Sequence, residues 1–73
     1  MSIEYDSIDS LVGSEWRFSG STNEIVRLRE VSKGTSKILG RVIIFEYLDR
    51  DKKPFATNEY NFRRDFFWAE RLK

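Results

Sequence analysis

The chain contains no cysteine and no histidine. Without cysteine there is neither a disulfide staple nor a thiolate nucleophile, which fits a reducing interior. Without histidine, the commonest metal ligand and the commonest general base near neutral pH are both missing. Proline occurs once and glycine four times. Gly13, Gly20, Gly34 and Gly40 stand apart from one another, so neither a dinucleotide fingerprint nor a Walker loop is present. No apolar run approaches the roughly 18 residues of a membrane span. The first residues carry acids where a secretory leader needs bases, which argues against secretion and for a cytoplasmic location.

What the chain does have is aromatic weight. Its 73 residues include two tryptophans, three tyrosines and six phenylalanines, most of them between Phe45 and Trp68. A domain this short buries only about 60 % of its unfolded surface, so a single compact core must do the work. Aromatic side chains bury about 150–250 Å² each and can build that core from few residues. The net charge is +1, but it is unevenly spread. Residues 1–15 hold Glu4, Asp6, Asp9 and Glu15 and no base. Residues 16–45 hold Arg17, Arg27, Arg29, Lys33, Lys37 and Arg41 against Glu24 and Glu30. An acidic lead before a basic middle can mark a charged binding face, or it can be ordinary solvated surface.

The hydrophobic pattern predicts a mainly β domain. A short helical turn is expected over 6–13, capped by Asp6 with Asp9 reciprocating, with Ile8, Leu11 and Val12 at helical spacing and Gly13 at C′. Residues 14–19 alternate as a half-buried strand with Trp16 and Phe18 inward. The next strand, 24–31, puts Val26 and Leu28 on one face and Ile25, Arg27, Arg29 and Val31 on the other. After a hairpin loop at 32–36, residues 37–48 form the longest apolar stretch and read as the central strand. From Val42 to Leu48 it is apolar on both faces, and Gly40 is a natural bend or bulge site. The charged loop 49–54 leads to a strand over 55–62 with Ala56, Tyr60 and Phe62 on one face. A helical turn at 63–65 then delivers Phe66 to the core, and 67–72 closes as a short strand. The alternative for the end is a helix from Asp65, with Phe66, Ala69 and Leu72 inward. Sequential neighbours pair in space, so these elements make an antiparallel meander. Meanders of this size curl into small barrels that protect their edges.

Several stretches carry a resemblance. The opening Gly13-Ser-Glu-Trp16, the Val26-to-Val31 strand, the long Val42-to-Leu48 strand and the helical turn before a short last strand resemble the Src-homology-3-like or Tudor-like small barrel. The Phe-Phe-Trp-x-Glu-Arg-Leu ending looks like small barrels common in bacteriophage and bacterial genomes. The resemblance covers most of the chain and implies a five-stranded antiparallel barrel or strongly curled sheet. It also implies a binding role, because aromatic side chains and loops on one face of such barrels grip a peptide, a modified side chain or a nucleic acid. The chain departs from the pattern by lacking an Ala-Leu-Tyr-Asp-Tyr type opening, an aromatic cage run and a basic glycine-containing RNA-binding motif.

Catalytic and metal chemistry find little material. Asp49 and Asp51 lie in a basic turn, where solvation predicts ordinary pKa values, whereas acid catalysis needs a desolvated carboxyl. They also lack the further ligands and the glycine of a calcium loop. Glu46 interrupts the central strand and calls for a rim position or a partner such as Arg41 or Arg63. The basic residues offer more. If Arg27 and Arg29 share a face and the hairpin brings Lys37 and Arg41 opposite them, four cations lie within cross-strand reach. With Arg17 and an exposed aromatic near Trp68, that surface suits an acidic protein partner, since Arg, Trp and Tyr dominate protein hot spots. It also suits nucleic acid, by tracking phosphates and stacking bases. Glu24 and Glu30 can neutralise it instead. Three consecutive aromatics, Phe66-Phe67-Trp68, cannot all point inward from a strand. Phe67 is therefore expected either to pack beneath the N-terminal arm or to form an exposed patch for a partner or a homodimer. The expectation is a non-enzymatic, cofactor-free binding module of phage or bacterial type. It would bind a protein through Arg27, Arg29, Lys37, Arg41, Arg17, Phe67 and Trp68, with nucleic acid as the alternative ligand.

Overall fold

A computed structural model of the protein describes residues 4–18, 23–34 and 40–73. A 3-10 turn, Ile8–Leu11, precedes strands β1 (Glu15–Arg17), β2 (Ile25–Lys33), β3 (Arg41–Tyr47) and β4 (Phe55–Asn58). Helix α1 (Glu59–Asp65) and a two-residue strand β5 (Glu70–Arg71) complete the chain. The five strands form one antiparallel sheet in the order β4-β3-β2-β1-β5. Consecutive strands are neighbours up to β4, and α1 then carries the chain back so that β5 pairs with β1. The strands β4 and β5 are the two edges and the sheet is open.

The core lies on one face of this sheet. Val26, Leu28, Ile43 and Phe45 project from β2 and β3, Trp16 from β1, Ile8 and Leu11 from the 3-10 turn, and Phe62 and Phe66 from α1 and its C-terminal cap position. The rings interlock. Phe45 stacks on Phe55, Phe62 and Phe66 at centroid distances of 5.3, 5.8 and 4.7 Å. Trp16 meets Phe62 and Phe66 edge-on at 5.8 and 5.6 Å. Its indole N–H donates to Ser14 Oγ at 2.8 Å, which satisfies a polar pair in a buried position.

The central stretch is thus core on one face only. Ile43 and Phe45 are fully buried, Val42, Ile44, Glu46 and Tyr47 are half-buried, and Leu48 is exposed. The expected second apolar face is the open outer side of the sheet. The expected strand irregularity also sits elsewhere. Gly40 turns the chain with φ +89° just before β3, but the bulge is in β2, where the pairing steps from Leu28↔Phe45 to Glu30↔Ile44. The extra residue is Arg29. It shifts the alternation by one, so Val31 lies opposite Ile43 and packs against the core with Val26 and Leu28. Strict alternation had placed Val31 with Arg27.

Two helix ends differ from expectation. The 3-10 turn starts after Ser7 with no side-chain cap, because the Asp9 carboxylate is taken by Arg41. Gly13 does adopt a left-handed φ of +93° and donates its N–H to the Leu28 carbonyl at 2.8 Å. The strand expected to run to residue 62 stops at Asn58. There the Asn58 side chain accepts the Asn61 N–H at 2.8 Å and starts α1. The switch from period 2 to helical period separates Tyr60, 73 % exposed, from buried Phe62. Phe66 reaches the core from the last turn of this helix, and Asp65 ends it rather than starting one.

Candidate functional site

The register decides the fate of the expected basic face. Arg27 is opposite Glu46, one place along from the buried pair Leu28↔Phe45, so it projects from the outer face. Its guanidinium contacts Glu46 at 2.8 Å. Glu46 therefore has a partner, but that partner is neither Arg41 nor Arg63. Arg41 is opposite Lys33 and in step with Ile43, on the core side of the sheet. It reaches Asp9 of the 3-10 turn at 2.6 Å. Arg27 and Arg41 thus leave the sheet on opposite faces. Arg29 is at the bulge, exposed and without an ion pair among the described residues. Arg17 lies on the outer face and pairs with Glu70 at 2.6 Å across β1 and β5. Lys37 lies outside the described residues. Glu24 does neutralise cations, but its partners are Lys52 at 3.0 Å and Arg50 at 3.6 Å.

The loop carboxylates differ from one another. Arg50 donates to both oxygens of Asp49, at 3.0 and 2.8 Å. That hydrogen bonding holds the Asp49 carboxyl down at about 2, against an ordinary value of 3.8. This corrects the expectation of an ordinary carboxyl there, and it moves Asp49 further from acid catalysis. Ser10 donates its hydroxyl to the Ser7 carbonyl. Among the described residues no three carboxylate, imidazole or thiol groups converge as a metal cage would require, and no helix is long and apolar enough to cross a membrane.

A different surface gathers the aromatic and basic side chains. Helix α1 is only seven residues long, and its inward residues Phe62 and Phe66 lock it to the sheet. Its outward residues are Tyr60, Arg63 and Arg64, which fall at i, i+3 and i+4 and so share one face. The Arg64 guanidinium lies 5.9 Å from the Tyr60 ring centroid and donates to Asp65 at 3.0 Å. Arg63 lies 4.9 Å from the Tyr5 ring and donates to the Tyr5 hydroxyl. That hydroxyl donates in turn to Glu59 at 2.8 Å. Burial and the Glu59 hydrogen bond raise the Tyr5 pKa, so the phenol stays protonated. Tyr5 also meets Phe62 edge-on at 6.1 Å, which fixes the N-terminal segment on the helix.

The turn after α1 extends this surface. Phe66 is buried, Phe67 is half-buried, and Trp68 is 77 % exposed with its ring edge-on to Phe67 at 4.8 Å. The outward aromatic of the triplet is therefore Trp68 more than Phe67, because a turn points three consecutive side chains in three directions where a strand allows two. Tyr60, Arg63 and Arg64 were not among the expected binding residues. The signal that could have found them is the Asn58-x-x-Asn61 cap, which starts the helix and so sets the outward face.

No protein-family model, curated protein or solved structure matches this chain.

Proposed function

We propose that the protein is a non-enzymatic binding module that grips another protein through the outer side of α1 and the following turn. The observation that carries this reading is the exposure of Trp68 and Tyr60, 77 % and 73 %, beside two arginines on a segment whose other side is locked into the core. Tryptophan, tyrosine and arginine are the residues that dominate protein hot spots. Large rings held outward by a rigid base lose little conformational entropy on binding. Arg27, Arg29, Arg41 and Arg17 contribute little to this surface. Three of them are committed to ion pairs, and the proposal moves the binding role to Tyr60, Arg63, Arg64, Phe67 and Trp68.

Charge favours a protein over a nucleic acid. From Glu59 to Trp68 the chain carries Arg63 and Arg64 against Glu59 and Asp65. Phosphate tracking needs an excess of cations, which this surface lacks. The chain's return from β4 through a helix to a short strand beside β1 supports a relationship to the small-barrel architecture, with the sheet left open. A cytoplasmic protein of phage or bacterial type is the setting we propose, on the cysteine-free composition and the barrel-like ending.

The test is affinity capture with the full chain against Trp68→Ala and Tyr60→Ala variants of equal stability. A partner retained by the native chain and lost by both variants supports the proposal. Capture that is indifferent to both substitutions refutes it. A mobility shift on nucleic acid at ~50 mM salt that collapses by ~200 mM would instead favour phosphate recognition.

A further inference from the structure

We propose that β4 is a self-association edge, through which two copies of the chain pair antiparallel about a two-fold axis at Ala56. Among the described residues β4 hydrogen-bonds to β3 alone, so one side of its backbone is unpaired. Edge strands are normally guarded by charge, proline or brevity. The other edge, β5, is guarded in that way: it has two residues, Glu70 and Arg71, and both are charged. The four residues of β4, Phe55-Ala-Thr-Asn58, carry no charge. The outer face beside them is uncharged as well. Val42, Ile44, Ala56 and Asn58 share it by register, and a shallow hollow of about 250 Å³ runs along Val42, Ala56, Thr57, Asn58 and Asn61.

The flanks of β4 identify the occupant as a second copy. In an antiparallel pair, directly opposed residues share a face. Ala56 and Asn58 point outward while Phe55 and Thr57 point to the core side. A two-fold axis normal to the sheet preserves this only if it passes through a residue position. With the axis at Ala56, Phe55 opposes Thr57 of the second copy, and Lys53 opposes Glu59. Lys53 is exposed and takes part in no ion pair among the described residues. The symmetry makes this cation–carboxylate meeting occur twice. It also joins the two Val42–Ile44–Ala56 patches into one strip across a ten-stranded sheet. Strand addition of this kind takes its affinity from main-chain hydrogen bonds and its register from the flanking side chains.

The surface is separate from the α1 surface, so this proposal stands or falls independently of the partner-binding reading. Light scattering over about 10 μM to 1 mM should show a mass rising from monomer to dimer. Lys53→Glu and Glu59→Lys should each weaken the dimer about tenfold or more, because two attractions become two repulsions. An equimolar mixture of these two variants should restore it, since every opposed pair is again of unlike charge. The second measurement does not depend on those variants folding. The chain has no cysteine, so Ala56→Cys introduces a single thiol at the axis. Opposed Cα atoms there lie about 4.5–5.5 Å apart, within disulfide range. Mild oxidation should cross-link Ala56→Cys into a covalent dimer much faster than the control Asp51→Cys. A monomeric mass throughout the series, a mixture that fails to re-form the dimer, or equal cross-linking at both positions would overturn the proposal.

Discussion

Replacing Phe66 with alanine should cost this domain about 3–5 kcal/mol, the usual range for deleting a buried aromatic ring. The structure places Phe66 at the upper part of that range. It is 2 % exposed and its ring centroid lies 4.6 Å from Phe18, 4.7 Å from Phe45, 4.8 Å from Phe62 and 5.6 Å from Trp16. Four rings would border the void, and they belong to β1 and its end, β3 and α1, which cannot collapse together without breaking strand pairing. A 73-residue chain has a total stability of about 4–11 kcal/mol on the usual per-residue scale. The variant is therefore expected to sit at the margin of unfolding at room temperature. Its melting temperature should fall by about 12 °C or more, at roughly 4–8 °C per kcal/mol for a domain of this size. Phe66→Leu keeps apolar volume and loses ring geometry, so about 1–2 kcal/mol is expected. Trp68→Ala, two residues away, should cost about 0.5 kcal/mol or less, because the side chain is largely in water. Urea unfolding followed by circular dichroism measures all three. If Phe66→Ala costs under about 1 kcal/mol, or Trp68→Ala costs as much as Phe66→Ala, the assignment of core and surface around α1 is wrong.

Asn58→Ala should cost about 1 kcal/mol by freeing the Asn61 N–H, and Asn58→Asp should retain the cap; equal urea midpoints for the alanine variant and the native chain would refute the role given to this residue. Asp49 has a folded pKa of about 2, below its ordinary 3.8, so its stabilising contribution is complete above that ordinary value and is lost as pH falls through about 2. The melting-temperature gap between the native chain and Asp49→Asn should therefore narrow on acidification through that window, and a gap unchanged from about pH 5 down to pH 2 would contradict it.

Much of the fold is legible in the chain because local chemistry and burial agree there. The alternation of Trp16 with Arg17, of Val26 and Leu28 with Arg27, and of Ile43 and Phe45 with Glu46 sets the strands and their inward faces, since a pleated strand has a side-chain period of 2. Gly13 marks the end of the first turn because a left-handed φ suits glycine. The absence of cysteine and histidine narrows the accessible chemistry before any coordinate is known.

The tertiary structure decided what depends on register. One extra residue at Arg29 moves Val31 into the core, and no local preference of the Arg29 side chain announces it. The same register sends Arg27 and Arg41 to opposite faces, which dissolves a basic cluster that strict alternation and hairpin geometry had assembled. Asp9 and Glu46 found Arg41 and Arg27 across 32 and 19 residues of sequence, distances over which sequence spacing carries no information about proximity. The change from strand to helix at Asn58 turned Tyr60 outward and Phe62 inward, and it placed the aromatic–arginine surface on α1. Binary pattern fixes which residues want burial. Which cations remain free to meet a partner is set by who stands opposite them, and only the folded sheet determines that.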